Sequence, residues 1–298
     1  MKIRIGFGLG TRTTTNDAAR FGPFVDDLER LGFDSLWVSE RISGPAPDPV
    51  VAMAFAAGRT TRLKFGMSVM VLPGRNPVLV AKELASLDRL SNGRLLPAFG
   101  LGVVDPREQA AFGVRREDRG KIFNEALPLI RRLWTEDHVD HDGPFFHLEG
   151  ISIEPKPIQK PPDVWLGGLA ASELRRVGRL GDGWLPSFCV ADDIAKAIPV
   201  ITEEADKHDR SIDPEHIGAL VAYREGPLPD VIAAFIAKRR PDLDPESVVP
   251  RGLHELRASV EQMIDAGASK FVVLPFVEPD DWTEELERVA ESMFPLQN

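Results

Sequence analysis

Few side chains in this sequence combine a type and a spacing that could do chemistry unaided. Glu40 and Arg41 stand side by side at the end of a β-prone run, FDSLWVS. They read either as a surface ion pair, worth little, or as a pair that orients a substrate or cofactor. Gly100-Leu101-Gly102 ends a second such run and Gly167-Gly168 a third. Glycines just past a strand let a ligand approach the backbone closely, and a glycine pair ahead of a helix can seat a phosphate on the helix N-terminus. His138, His141 and His147 cluster in sequence without further metal ligands around them. Cys189 has no histidine near it in sequence and reads as an inert buried thiol. No carboxylate cluster and no Ser/His/Asp set accompanies them. Glycines and apolar residues at strand ends suit a large flat aromatic ligand gripped by backbone groups, a cofactor that carries the reactive atom itself.

The elements that must position these residues are legible. Lys64–Leu72 is apolar and β-prone, Asn76-Pro77 is a cap followed by proline at the first helical position, and Val78, Ala81, Leu84, Ala85, Leu87 and Leu90 recur at helical spacing. Ser91-Asn92-Gly93 stops that helix, and a second strand runs from Arg94 to Phe99. The unit is βαβ, so its strands are predicted parallel with a right-handed crossover. The same alternation recurs along the chain. Strands are expected at Ile3–Leu9, Phe33–Ser39, Lys64–Leu72, Arg94–Phe99, Asp163–Leu166, Trp184–Ser187, Ile217–Tyr223 and Lys270–Pro275, each followed by helical sequence. Eight strands argue for a (β/α)8 barrel, with a doubly wound open sheet as the alternative. His138–Gln159 breaks the pattern. It is polar and punctuated by Gly143-Pro144 and Pro155, and reads as an insertion around residues 138–160, a small hairpin over the barrel mouth. Trp37, Trp134, Trp165 and Trp184 sit among apolar partners and are expected in the core.

Composition bounds the rest. The 298 residues carry a formal net charge of -10, which argues against a general nucleic-acid or anionic-membrane binder. The single cysteine rules out an intrachain disulfide and fits a reducing cytoplasm. No run approaches the ~20 apolar residues of a membrane span, and no signal peptide is evident. Residues 1–298 are read as one barrel domain.

NPVLVAKELASLDRLSNGRL followed by a Gly-x-Gly strand end resembles the bacterial luciferase-like monooxygenases, a superfamily of flavin-dependent monooxygenases and deazaflavin (coenzyme F420)-dependent oxidoreductases. LERLGFDSLWVSE, FGVRREDRGKIFNEALPLIRRLW, PKPIQKPPDVWLGG with LRRVGRLGDGWLP, and LRASVEQMIDAGASKFVVLP resemble it too, in the same order. The resemblance implies a (β/α)8 barrel, often dimeric, holding a deazaflavin or FMN at the strand ends. It implies a non-prolyl cis peptide at Ser68-Val69 against the cofactor ring, cofactor contacts at Gly102 and Val103, and a phosphate seat at Gly167, Gly168 and Leu169. Glu40 and Arg41 occupy the place of an acidic residue and histidine in many deazaflavin dehydrogenases, and Val104 that of a glutamate. Arginine cannot be a general base at neutral pH, so acid–base dehydrogenation of a sugar alcohol fits poorly. Arg41, Arg75 and Arg107 are candidates for a basic groove that holds the anionic deazaflavin tail. The expected function is an F420-dependent oxidoreductase acting on a small-molecule substrate, with a flavin or F420 reductase as a possible electron donor. The alternatives are an FMN-dependent monooxygenase using O2, a cofactor-binding protein without turnover, and an unrelated Schiff-base aldolase, for which the strand ends offer no lysine.

Overall fold

Helix starts and stops fall where the local chemistry places them. The computed structural model describes residues 1–298. Asn76 accepts hydrogen bonds from the N–H groups of Val78 and Leu79 and opens helix Pro77–Leu90, and Asp48 does the same for Val50 and Val51 at helix Pro49–Arg59. Asn92 and Gly93 follow helix Pro77–Leu90 in the left-handed conformation, with φ of 59° and 77°.

Strand one (Arg4–Leu9) lies between strand two (Ser35–Val38) and strand eight (Lys270–Pro275), parallel to both. Strand three runs Lys64–Met67 and resumes at Met70–Val71, and strand four runs Leu95–Leu96 and resumes at Ala98–Gly100. Parallel pairing continues from two to three, three to four, four to five (Trp165–Leu166), and five to six (Gly183–Trp184). Bridges Trp184–Ile217 and Ser187–Leu220 join strand six to strand seven (Gly218–Tyr223), which pairs with strand eight. Strand one thus has neighbours from both ends of the chain, which a doubly wound open sheet does not provide; the ring is that of a (β/α)8 barrel.

The main core, between strands and helices, holds Phe7, Leu36, Phe65, Trp134 and Trp184 among others. A smaller group of Trp37, Ala98, Trp165, Leu185 and Val272 packs separately. All four tryptophans expected in the core are buried. Beside Trp37 and Trp165, 5.9 Å from each ring, sits the ammonium of Lys270, bonded to Asp34 at 2.5 Å.

Two segments leave the alternation. The insertion is an antiparallel hairpin, Val139–Asp142 with His147–Ile151, but it does not cover the mouth. It departs from the C-terminal end of helix Arg119–Thr135, and barrel helices run back toward the amino ends of the strands. Lys156 donates to the carbonyls of Leu133 and Glu136 there, and Gln159 to that of Leu95 at the start of strand four. The hairpin tip folds back along the helix, where Glu125 accepts the N–H of Phe146 at 2.9 Å and faces His141 at 3.0 Å. The second segment is an excursion after strand seven, with helices Asp230–Arg239 and Pro245–Val248 around a small core of Leu228, Ile236, Val248 and Val249. Its two ends meet: Arg224 N–H donates to Pro250 O at 3.0 Å and Gly252 N–H to Arg224 O at 2.7 Å.

Candidate active site at the carboxyl ends of the strands

The glycines of strand four and the break in strand three face each other. The Ser68-Val69 peptide bond is cis, at the position that the family resemblance implies. A Cβ on Gly100 would come within 2.4 Å of Val69 Cγ2, and one on Gly102, whose φ is +80°, within 3.1 Å of Val71 Cγ1. Ser39 Oγ at the end of strand two donates to Ser68 O at 3.3 Å.

Beyond strand four, Arg119 Nη1 donates to three successive carbonyls, those of Leu101, Gly102 and Val103, at 3.1, 3.1 and 3.3 Å. Burial, followed by repulsion from Arg116, lowers its pKa. With these carbonyls turned to Arg119, the N–H groups of Gly102, Val103 and Val104 find no protein acceptor. Arg119 escapes a sequence reading because the residues it holds lie 16 to 18 positions away.

Glu40 and Arg41 diverge. Glu40 has a side chain 2% exposed, accepts the Val71 N–H at 2.6 Å and pairs with Arg75. Burial raises its pKa, while the Val71 N–H and Arg75 act the other way. Arg75 also donates to Val71 O at 3.0 Å, so the pair clasps the chain just past the break in strand three. Arg41 turns to Asp105 at 3.0 Å and to Glu108 at 3.8 Å. Of the three arginines of the expected basic groove, Arg41 and Arg75 carry their own carboxylates and Arg107 carries none. Val104 is exposed.

Strand five delivers Gly167-Gly168 to helix Ala171–Leu180. The buried Trp184 indole donates to Gly168 O at 2.9 Å and fixes the turn, where Gly168 has φ of +103°. Glu173 accepts the N–H groups of both Leu169 and Ala170 at 3.0 Å. A carboxylate therefore lies on the phosphate seat that the resemblance implies. Glu173→Gln should tighten binding of a phosphate-bearing cofactor about fivefold, by removing a like charge from a helix N-terminus. The check is a fluorescence titration at two salt concentrations; weaker binding would place the phosphate elsewhere.

The loops after strands one and eight are tied by Glu278, which accepts from the Thr14 N–H and hydroxyl at 3.0 and 2.6 Å and from the Thr13 hydroxyl. The threonine run TRTTT was the available signal for this clasp. Cys189 is buried and its thiol pushed up to about 12, first by burial and then by Asp193, which makes it a poor nucleophile. His141 faces Glu125, His147 faces Asp142 at 2.6 Å, and no three His, Cys, Asp or Glu side chains gather in a geometry that could hold a metal ion.

Unpartnered N–H groups at Gly102, Val103 and Val104 lie beside the break in strand three, where Val69 packs on Gly100. The profile of the luciferase-like monooxygenase family matches residues 2–225. The chain belongs to that family. Within it, an F420-dependent glucose-6-phosphate dehydrogenase of Gordonia bronchialis is 30% identical over 277 residues, covering 88% of this chain and 80% of the relative. Two further relatives of that description are spanned over only 63% and 53% of their length. Among solved luciferase-like folds, an F420-dependent secondary alcohol dehydrogenase in complex with an F420–acetone adduct superposes with a TM-score of 0.82 at 18% identity over the full length of both chains. The oxygenating constituent of 3,6-diketocamphane monooxygenase from Pseudomonas putida, in complex with FMN, gives 0.76 at 16% identity over 100% of this chain and 99% of that one. At such identities these two establish the shared fold.

Proposed function

We propose that this chain is an oxidoreductase that binds coenzyme F420 at the carboxyl ends of the barrel strands and serves hydride transfer to or from a small organic substrate. The observation that carries it is the cis Ser68-Val69 segment packed against Gly100 beside the free N–H groups of Gly102 to Val104, in a chain whose 30%-identical relative is named F420-dependent. When bound, the cofactor supplies the two-electron, hydride-carrying chemistry. The chain's own residues position it. Ser68, Val69, Gly102 and Val103 meet the ring, Gly167, Gly168 and Leu169 meet the phosphate once the Glu173 carboxylate gives up the Leu169 N–H, and Arg119 orients the free N–H groups. Glu40 acts as a positioning residue through Arg75 and Val71. Arg41, a permanent cation, orients Asp105 and Glu108 rather than taking a proton. Arg107 is the guanidinium left for an anionic tail. A proton required by the substrate is exchanged with solvent.

The test is a pair of equilibrium titrations with F420 and with FMN. Micromolar or tighter binding of F420 alone is expected; tight binding of FMN alone would replace this reading with an FMN-dependent monooxygenase, and binding of neither would overturn both.

The assembly we infer is a homodimer of one-domain protomers in the cytoplasm, supplied with reduced cofactor by a reductase. No helix is long and apolar enough to cross a membrane. The exposed side chains of Val51 and Phe55, one turn apart on helix Pro49–Arg59, and of Leu79 and Leu90 on the adjacent helix Pro77–Leu90 supply an apolar face for a second copy. Leu79→Glu with Leu90→Glu should convert a dimer into a monomer in sedimentation equilibrium. An unchanged mass would place the interface elsewhere.

A further inference from the structure

Three aromatic rings stand together where strands six and eight meet the excursion. Phe188 follows strand six, Phe276 directly follows strand eight, and Phe235 lies on helix Asp230–Arg239. The Phe188 ring centroid is 5.8 Å from that of Phe235 and 6.4 Å from that of Phe276. Phe188 has φ of +56°. A bulky side chain in the left-handed region is an outlier, and such outliers persist only where their surroundings hold them. Here the hold is explicit. Arg240, itself buried, donates to Phe188 O at 2.7 Å and is anchored by Asp193 at 2.8 and 3.0 Å and by Asp242 at 2.8 Å. Yet the rings are not sunk in the core: Phe235 is 50% exposed, and Phe188 and Phe276 are half-buried. The fold thus fixes an aromatic cluster, with Phe188 and Phe276 packed against the excursion's small core, while leaving part of it exposed.

Most of the cations nearby are already engaged. Arg224 pairs with Glu246 at 3.1 Å, Arg240 with two aspartates, and across the mouth Arg41 and Arg75 have their own acids. Arg239 has no acidic partner, and its guanidinium lies over the Phe188 ring at 5.6 Å. Recognition of a phosphate ester calls for convergent donors that are free to turn to it.

We propose that Phe188, Phe235 and Phe276 form the substrate-side wall of the site, and that the substrate is an uncharged, largely apolar organic molecule rather than a sugar phosphate. The proposal rests on reading the adjoining strand ends as the cofactor site. Phe188 is the specificity-determining residue. Its backbone, fixed through Arg240, sets the distance between the wall and the strand-end glycines.

The test titrates neutral cyclic ketones of increasing ring size, and glucose 6-phosphate, into the full-length protein by calorimetry, with and without F420. Ketone affinity should rise about fourfold per added methylene, and glucose 6-phosphate should not bind at millimolar concentration. Phe188→Asn, which suits the left-handed backbone, should lose at least tenfold in ketone affinity while F420 affinity and the melting temperature stay near wild type. Phe276→Ala provides a second reading should Phe188→Asn fold poorly. Glucose 6-phosphate binding more tightly than the ketones, no ketone binding, or ketone affinity unchanged in the folded variants would each overturn the proposal. Failure of F420 to bind would sink the cofactor reading alone, since Phe188-dependent ketone binding to the free protein would still support the wall.

Discussion

Gly100→Val should weaken cofactor binding by at least 100-fold, about 2.7 kcal/mol, in a protein that still folds. The first side-chain atom at this position would meet Val69 Cγ2 at 2.4 Å. Val69 is β-branched and stiff at χ1, so it cannot swing aside. The break in strand three would have to move as a unit, away from strand four and the N–H row of Gly102 to Val104. Sites of this kind tolerate displacements of only about 0.5 Å. Gly58→Ala is the control: a Cβ there meets nothing within 4 Å, and alanine gains about 1 kcal/mol over glycine inside helix Pro49–Arg59. Titration of both variants with F420, beside their circular dichroism, reads the result. A Gly100→Val protein that binds as well as wild type would remove the Val69–Gly100 contact from the cofactor site.

Lys270→Met should lower stability by about 3–5 kcal/mol, because it strands a buried carboxylate. That corresponds to a melting temperature lower by roughly 5–8 °C at this chain length. Asp34 has a side chain only 13% exposed, and besides Lys270 it reaches Lys64 at 3.5 Å, Arg4 at 4.0 Å and the Ser35 hydroxyl at 2.9 Å. Burial opposes its charge, but Lys270 and then Lys64 overcome it and hold its pKa at about 2. Burial pulls Lys270 down while Asp34 partly restores it. The pH dependence follows from Asp34. With a folded pKa of about 2 against ~3.9 in the unfolded chain, its contribution is present above about pH 4 and is lost as pH falls toward 2. Denaturant melts of wild type and Lys270→Met should therefore differ most at neutral pH and converge in acid. The double variant Lys270→Met with Asp34→Asn should recover part of the loss, since removing both charges leaves none unpaired. A single variant as stable as wild type would show that Lys64 and Arg4 suffice.

Local chemistry made most of the fold legible. Asn76-Pro77 and Asp48-Pro49 announce helices because a cap and a fixed φ act within one turn, and the apolar runs ending in glycine give the strand ends directly. The cis bond at Ser68-Val69 came from motif resemblance and from nothing in the two side chains. What stayed hidden depends on chain direction or on long-range pairing. Glu40 is next to Arg41 in sequence, but alternate residues near a strand end point to opposite faces, and its partner is Arg75. The hairpin at 139–151 is readable as a hairpin, whereas its location follows only once helix Arg119–Thr135 is known to carry the chain to the far end of the barrel. Glu173 was visible as an acid three residues after Ala170, yet its effect on the N–H groups of Leu169 and Ala170 needed the turn at Gly168.

The excursion between Arg224 and Gly252 leaves and re-enters the barrel at almost one point, stitched by two backbone hydrogen bonds. It has its own small core, and it begins where the family profile ends, at residue 225. Loop-closure entropy grows only slowly with length, so a longer or shorter segment that keeps Arg240 on Phe188 and Asp193 can be inserted between these stitches with little cost to the barrel beneath. The excursion is an interchangeable cartridge. Natural variation and directed evolution can replace Phe235 and its surroundings as one block, changing what the enzyme accepts without redesigning how it holds its cofactor.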